Sequence, residues 1–184
     1  MKKRYKTIFL DRDGTLNIDP GYISNLKNFK FYDFTFDALK LFNGKGSNFC
    51  IITNQSGIAR GLISLSEINQ INDFIKNSFK KNKLNLLDIY YCADHPDSPS
   101  KFRKPNTGMF EMAINDHGAE KKNSLIIGDN LCDIQAGNRL GIDTMLVLTG
   151  KGNEVKNSKK IKPTYVAKNI LVGAKSVLGI KWKS

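Results

Sequence analysis

The sequence predicts a Rossmann-like, doubly wound α/β fold with a mainly parallel sheet, and three observations support this fold class. Apolar runs rich in β-branched residues alternate along the chain with segments of helical periodicity, as in a parallel sheet with crossover helices. Several runs are continuously apolar, which is expected for strands that helices cover on both faces. Polar motifs follow directly after these runs, where open α/β sheets bind ligands.

Six strands are expected, and each is followed by a turn or by a polar motif. In chain order they are 6–10, 48–53, 86–92, 124–128, 143–148 and a short strand at 164–167. Helices are expected at 34–42, 65–81, 108–117, 133–140 and 170–178. Ser64 and Glu67 form a capping box at the start of the second helix, and Gly118 is suited to end the third. The stretch 151–162 is interpreted as a surface loop.

The composition fits a single globular domain of 184 residues, in which the basic segment 151–184 forms a C-terminal extension packing on the rest. The net charge of +12 is interpreted as a lysine- and asparagine-rich solvated surface. Three widely spaced cysteines argue against a disulfide framework. No apolar run approaches the ~20 residues of a membrane helix, and the first run is too short for a signal peptide. We therefore expect a cytoplasmic protein that binds no membrane. No aromatic residues interleave with the lysines as a single-strand-binding surface requires, so no nucleic-acid binding is expected, and a monomer is the default expectation.

Two carboxylates stand one residue apart after the first strand, in the stretch FLDRDGTLN. Asp11 and Asp13 can project to the same side of an extended segment, and Arg12 between them is expected to point away. A second acidic pair, Asp129 and Asp133, follows the fourth strand, whose end can neighbour the end of the first. Close carboxylates repel by about 4 kcal/mol per pair at an effective dielectric constant near 20. A divalent cation relieves that repulsion, and oxygen ligands select Mg²⁺ first.

Hydrogen-bond donors and cations follow the second and third strands. Thr53 and Asn54 lie in the stretch ITNQSGIARG, and Arg103 and Lys104 precede the third helix. Lysine binds phosphate as a point charge and arginine binds it as a bidentate fork. Carboxylates, donors and cations at four strand ends therefore match a phosphoryl group with its metal ion. Asp133 stays open between binding the metal and capping the fourth helix.

The motifs leave a carboxylate as the nucleophile. The chain has no GxxxxGK[ST] loop for ATP, and it has neither a GxSxG motif nor a Ser–His–Asp set. Aspartate is an established nucleophile that forms aspartyl phosphates. If Asp11 attacks phosphorus, Asp13 can protonate the leaving alkoxide and then take a proton from the water that hydrolyses the intermediate.

The motifs DRDGT, ITNQSG, RKP and GDNLCD, in this order, resemble those of the haloacid dehalogenase superfamily of aspartate-nucleophile phosphatases. Within it, ITNQSGIARG, DPGY and RKPNTGM look like the D-glycero-D-manno-heptose 1,7-bisphosphate phosphatases and, more distantly, the histidinol-phosphatases. The resemblance covers residues 5–150 and implies the superfamily fold without a cap domain. It also implies a Mg²⁺-dependent phosphomonoesterase whose substrate is a small phosphorylated sugar, a heptose bisphosphate that loses its 7-phosphate in nucleotide-activated heptose synthesis.

The resemblance assigns roles to the matching positions of this chain. Asp11 would be the nucleophile and Asp13 the acid and base, while Thr53 and Lys104 would steady the phosphoryl group. Mg²⁺ would be bound by Asp11, Asp129 and the backbone carbonyl of Asp13. The residues implied to bind substrate are Asp19, Gly21, Tyr22, Asn54, Gln55, Ser56 and Arg103.

Two departures from the family pattern accompany the match. The family carries a zinc loop, Cys-x-His and then Cys-x-Cys before Arg-Lys-Pro. Here Cys92 is present, but the other three positions are occupied by Asp94, Ser100 and Phe102. One cysteine and one nearby histidine cannot complete the four-coordinate site of structural zinc, so no zinc is expected. The family's lysine after Gly-Asp, which contacts substrate, is replaced by Asn130.

Other functions stay open at this point. Histidinol phosphate or another small phosphate ester is the enzymatic alternative. A nucleic-acid 3′-phosphatase is suggested by the net charge of +12 and an open site. A protein that only binds a phosphorylated sugar is disfavoured, because a pure binder does not need Asp13.

Overall fold

A six-stranded parallel sheet forms the centre of the structure, which is a computed structural model describing residues 3–180. The order across the sheet is β3-β2-β1-β4-β5-β6, and each neighbouring pair is parallel. The strands are β1 (Thr7–Leu10), β2 (Asn48–Asn54), β3 (Leu86–Cys92), β4 (Ser124–Gly128), β5 (Asp143–Val147) and β6 (Tyr165–Ala167). The predicted doubly wound α/β fold is confirmed, and the ends of β1 and β4 are neighbours.

The helices agree with the prediction to within one residue at each end, except at two places. They are α1 (Thr35–Asn43), α2 (Leu65–Lys81), α3 (Gly108–His117), α4 (Leu131–Leu140), α5 (Gly152–Val155) and α6 (Ile170–Leu178). Helix α4 begins earlier than predicted, because Asn130 is its N-cap residue and Asp133 lies in its first turn. The interpretation of 151–162 as a loop is wrong for α5, a single turn closed by bonds such as Lys156 N–H to the Gly152 carbonyl at 3.0 Å. Trp182, in the predicted extension, lies outside the described residues.

Helices cover both faces of the sheet. Ile8 and Leu10 belong to a core cluster with side chains of α1, α2 and α6, whereas Phe9 packs with Cys50 and side chains of α3 and α4. All four residues of β1 are buried. Because the strands are apolar on both faces, the polar groups that follow them gather at their carboxyl ends.

The connection after β1 leaves that edge of the sheet open. Residues 11–34, all of which the structure describes, contain one 3-10 turn at Leu26–Asn28 and no inserted domain, so the expected fold without a cap domain is confirmed. In the basic segment after Gly150, β6 pairs with β5 and α6 packs against α1. Within residues 3–180, no helix combines the length and the apolar character needed to cross a membrane.

Candidate active site

A pocket of about 370 Å³ opens at the carboxyl ends of the central strands, and every residue that the sequence placed in the site lines it. The strand order explains this convergence. Strand β1 lies between β2 and β4, so the segments that follow the three strands meet at one edge of the sheet. Further lining residues are Gly57, Asn130, Cys132, Asp133 and Lys151.

Lys104 lies at the base of this pocket with 4% of its surface exposed. Its ammonium donates to Asp11 Oδ1 at 2.6 Å and to the carbonyl of Ile52 at 2.7 Å, and it pairs with Asp133 Oδ1 at 2.6 Å. Burial lowers the pKa of Lys104, but the charges of Asp11 and Asp133 outweigh burial and raise the pKa overall. A permanently charged ammonium therefore stands beside the candidate nucleophile, where it can stabilise charge on a transferred phosphoryl group.

Three carboxylates form a candidate metal site next to Lys104. One oxygen from each of Asp11, Asp129 and Asp133 lies within 4.8 Å of the others. Burial raises the pKa of Asp11 well above its usual range; Lys104 opposes this effect, and the two neighbouring aspartates add to it. Burial and the charge of Asp133 raise the pKa of Asp129 to about 6. Buried carboxylates with raised pKa values are costly to ionise, and a hard divalent cation with oxygen ligands would neutralise their charge.

Asp133 has one of the two roles that the sequence left open, the capping of the fourth helix. Its Oδ2 accepts a hydrogen bond from the backbone N–H of Asn130 at 3.0 Å, which caps α4. Its Oδ1 pairs with Lys104 at 2.6 Å. Since the protein engages both oxygens, Asp133 acts on the candidate metal site as a fixed neighbouring charge.

The carboxylate of Asp13 is held by three side chains. Arg12 donates to Oδ1 at 3.0 Å and to Oδ2 at 2.7 Å, while Asn17 and Gln55 donate at 2.9 and 2.8 Å. The expectation that Arg12 points away is therefore wrong, because a guanidinium that is only 1% exposed needs a buried counter-ion. Burial raises the pKa of Asp13, but the charge of Arg12 and these hydrogen bonds outweigh burial and lower it overall. In this arrangement Asp13 is ionised and ready to accept a proton.

The residues at the end of β2 fix one another and the backbone of Lys104. Asn54 accepts a hydrogen bond from the Lys104 N–H at 3.0 Å and donates one to its carbonyl at 3.1 Å. The hydroxyl of Thr53, 1% exposed, accepts from Gln55 Nε2 at 2.9 Å. The sequence assigned Asn54 to substrate binding, and the structure shows that its amide also positions Lys104.

The loop between β3 and α3 is organised around Ser100. Its hydroxyl accepts the backbone N–H groups of Phe102 and Arg103 at 3.2 and 3.1 Å and lies 3.6 Å from Cys92 Sγ. Among the residues from 3 to 180, neither Cys92 nor His95 belongs to a group of three or more candidate metal ligands. The absence of zinc stays a prediction.

The mouth of the pocket is formed by the segment after β1. Asp19 Oδ1 accepts the backbone N–H of Gly21 at 2.9 Å, and Gly21 has a positive φ of 112°. Tyr22 is 51% exposed and lies against Gly57, since a Cβ there would meet the Tyr22 ring at 2.9 Å. These groups, with Ser56, border the opening through which a ligand would enter.

Asp129 is enclosed by backbone from two other strand ends. It accepts the N–H of Lys151 at 2.8 Å and a weaker bond from the Thr15 hydroxyl at 3.3 Å. A Cβ at Gly14 or at Gly150, which have φ values of +82° and +49°, would collide with its carboxylate. The backbone of the segments that follow β1 and β5 therefore packs directly against the Asp129 carboxylate, which follows β4.

Sequence reasoning did not single out Lys151 and Cys132 as site residues. Lys151 follows β5 as the other site residues follow their strands, and this position was the signal that could have identified it. This signal was missed because Lys151 is the first of many lysines in a long basic segment, in which no single lysine stands out. Cys132 lies in the first turn of α4 beside Asp133, and no motif marks it.

Comparisons with known proteins point to the same chemistry. A family model described as HAD-hydrolase-like matches residues 101–172. A D-glycero-β-D-manno-heptose-1,7-bisphosphate 7-phosphatase from Haemophilus ducreyi is 39% identical over 163 residues, which are 84% of this chain and 90% of the relative. A D-glycero-α-D-manno-heptose-1,7-bisphosphate 7-phosphatase from Campylobacter jejuni is 36% identical over 171 residues, 90% of this chain and 98% of the relative.

A solved structure extends the likeness to the whole fold. The D,D-heptose 1,7-bisphosphate phosphatase from B. bronchiseptica, complexed with magnesium and phosphate, has a TM-score of 0.88 at 26% identity and covers 96% of this chain and 99% of its own. Fold and relatives together define a phosphoric monoester hydrolase of the haloacid dehalogenase type. Within that class, the chain belongs to the family of the D-glycero-manno-heptose-1,7-bisphosphate 7-phosphatases.

Proposed function

We propose that this protein removes the 7-phosphate of D-glycero-D-manno-heptose 1,7-bisphosphate, with Mg²⁺ as cofactor and an aspartyl phosphate as intermediate. The observation that carries the proposal is the buried Lys104 bound to Asp11 at 2.6 Å, beside a carboxylate cluster that includes Asp129. This arrangement provides a nucleophile, a cation for the phosphoryl group and a place for a metal ion. Two relatives that carry this activity in their names are 36% and 39% identical to the chain.

In the first step, an oxygen of Asp11 attacks phosphorus and the bond to the sugar oxygen breaks. Lys104 bonds Oδ1 of Asp11, which leaves Oδ2 for the attack. Thr53, which lines the same pocket as Asp11, would donate to the phosphoryl oxygens. Asp13 gives the proton that the leaving alkoxide needs, and the entering phosphate favours that protonated form because a nearby negative charge raises a carboxyl pKa.

In the second step, Asp13 takes a proton from a water molecule that attacks the aspartyl phosphate. The P–O bond to Asp11 breaks, inorganic phosphate leaves and the carboxylate is regenerated. Arg12, Asn17 and Gln55 hold Asp13 in its ionised form, so it is suited to this role as a base. Asp11, Asp129 and the backbone carbonyl of Asp13 would hold Mg²⁺, which when bound neutralises these carboxylates and the charge on the phosphoryl group.

Mg²⁺ binding is expected to weaken as the pH falls through about 6. The pKa of Asp129 is raised to about 6, mainly by burial and by Asp133, and a protonated carboxyl must lose its proton to bind the metal. The Kd measured by calorimetry should therefore rise about tenfold per pH unit below that value and stay nearly constant well above it. A Kd that does not change with pH would contradict the site.

Thermal stability provides the matching control. Because the folded protein holds the Asp129 proton more tightly than the unfolded chain, this group stabilises the metal-free fold at acid pH and loses that contribution as the pH rises through about 6. Mg²⁺ should therefore raise the Tm more at slightly alkaline pH than at acid pH.

The proposed substrate is tested by steady-state kinetics on three kinds of ester. We expect kcat/KM for the heptose bisphosphate to exceed that for histidinol phosphate and for a 3′-phosphorylated oligonucleotide by about 100-fold or more, since the site must bind polar groups that those esters lack. Phosphorus NMR of the product should show that the phosphate at C1 is retained. Equal turnover of all three esters, or loss of the C1 phosphate, would contradict the assignment.

We propose in addition that residues 1–184 act as one phosphatase domain, in which β6 and α6 complete the sheet and its cover. We propose that it acts as a monomer. We place the protein in the cytoplasm, where sugar phosphates are made.

A further inference from the structure

The pocket lining carries more negative than positive charge. Its five carboxylates are Asp11, Asp13, Asp19, Asp129 and Asp133, and its three cations are Arg103, Lys104 and Lys151. A divalent cation would balance that difference. A substrate with two phosphate groups then adds about three to four negative charges, so cationic side chains are needed at both of its ends.

Lys104 serves one end of such a substrate, the phosphate that is transferred. Its ammonium is buried and bonded to Asp11, Asp133 and the carbonyl of Ile52, so it serves the phosphate that is transferred. Arg103 is half-buried and donates to the carbonyl of Asp94 at 3.3 Å. These two adjacent residues belong to the segment between β3 and α3.

Lys151 lies on another segment, after β5, and its ammonium is uncommitted. Its side chain is exposed, and among the described residues it forms no ion pair with a carboxylate. Its backbone is fixed, because its N–H donates to Asp129 Oδ2 at 2.8 Å. The side chain is therefore anchored next to the site and free to extend over it.

The neighbouring strand end offers no cation of its own. The residue after Asp129 is Asn130, which lines the pocket with a neutral side chain. Among the described lining residues that follow β4 and β5, Lys151 is the one cation. An ammonium on a flexible stem is suited to a phosphate as a point charge.

We propose that Lys151 binds the phosphate that stays on the sugar, at C1, and thereby makes the enzyme select bisphosphates over monophosphates. This inference rests on the proposed function and adds a specificity residue to it. The two phosphates are at opposite ends of a seven-carbon sugar, so the phosphate at C1 lies beyond the reach of Lys104 when the phosphate at C7 meets Asp11.

The test compares heptose 1,7-bisphosphate with heptose 7-phosphate, which has the same scissile ester but no phosphate at C1. In Lys151→Ala, KM for the bisphosphate should rise about 10- to 100-fold, the effect of losing one charge-assisted hydrogen bond, and KM for the monophosphate should change much less. Lys151→Arg should restore most of the preference. Lys159→Ala, an exposed lysine of the same segment outside the pocket, is the matched control and should resemble the wild type.

The outcomes separate this inference from the proposed function. An equal loss on both esters, or no loss on either, overturns the role of Lys151 while leaving the phosphatase assignment intact. If the wild type turns over neither heptose ester, the proposed substrate fails. Fructose 1,6-bisphosphate and fructose 6-phosphate then form a second pair, on which an unchanged preference in Lys151→Ala overturns the inference and a reduced preference supports it. Because the substitution leaves the backbone N–H on Asp129, the variant should keep its fold, which its Tm checks.

Discussion

Replacing Asp11 with asparagine is expected to lower kcat by about 10⁴- to 10⁶-fold, the usual loss when a covalent nucleophile is removed. The amide fills the same space but cannot form an acyl phosphate by attack on phosphorus. Steady-state turnover of the heptose bisphosphate and of a generic aryl phosphate should fall together. Mass spectrometry after an acid quench should detect a phosphorylated wild-type protein and no adduct on the variant.

The fold of this variant should be intact. Burial raises the pKa of Asp11 well above its usual range, which means that the ionised carboxylate is costly in the folded protein. A neutral amide removes that cost, and Lys104 keeps its pair with Asp133 at 2.6 Å. We expect an unchanged or higher Tm. Asp73→Asn, at an exposed position of α2, is the control and should behave as the wild type; normal turnover by Asp11→Asn would refute the mechanism.

Replacing Lys104 with methionine should damage both catalysis and stability. We expect kcat to fall about 10²- to 10³-fold, as when one preorganised donor to a developing negative charge is lost. The free energy of unfolding at neutral pH should fall by about 3–5 kcal/mol, because Asp11 and Asp133 lose their buried counter-ion. Denaturant unfolding measures this loss, and Lys80→Met on the exposed face of α2 is the matched control.

The pH dependence of this loss follows from the carboxylates. Lys104 lowers the pKa of Asp11, so its removal allows that pKa to rise further. A carboxyl with a raised folded pKa costs stability as the pH rises through that value. The deficit of Lys104→Met should therefore be small at acid pH and larger at alkaline pH. A deficit that is the same at both would mean that the ion pair is not its cause.

The fold could be predicted because the buried strands are continuous apolar runs in the sequence. The residues of β1 are all buried. In a chain of this composition, such a short apolar run indicates a strand that is covered on both faces. Helix α5 could not be predicted, since its single turn lies in a lysine-rich stretch and has no apolar periodicity. Its bonds are local ones such as Lys156 N–H to the Gly152 carbonyl.

Site residues that belong to short sequence motifs could be predicted. The direction of a long, flexible side chain such as that of Arg12 could not. Strand β1 ends at Leu10, so the alternation that should have turned Arg12 away no longer applies at that residue. The guanidinium bends to the nearest carboxylate, Asp13. The role of Asp133 could not be decided in advance, since a residue in the first turn of a helix suits either capping or metal binding. In the structure one of its oxygens caps α4 and the other pairs with Lys104.

The two glycines that enclose Asp129 have a consequence for how this protein tolerates change. Gly14 and Gly150 leave no room for a methyl group against that carboxylate. In a saturation scan of the gene, both positions would be as intolerant as the aspartates themselves, although neither contributes a functional group. Two glycines would then be as sensitive to substitution in such a scan as the catalytic residues.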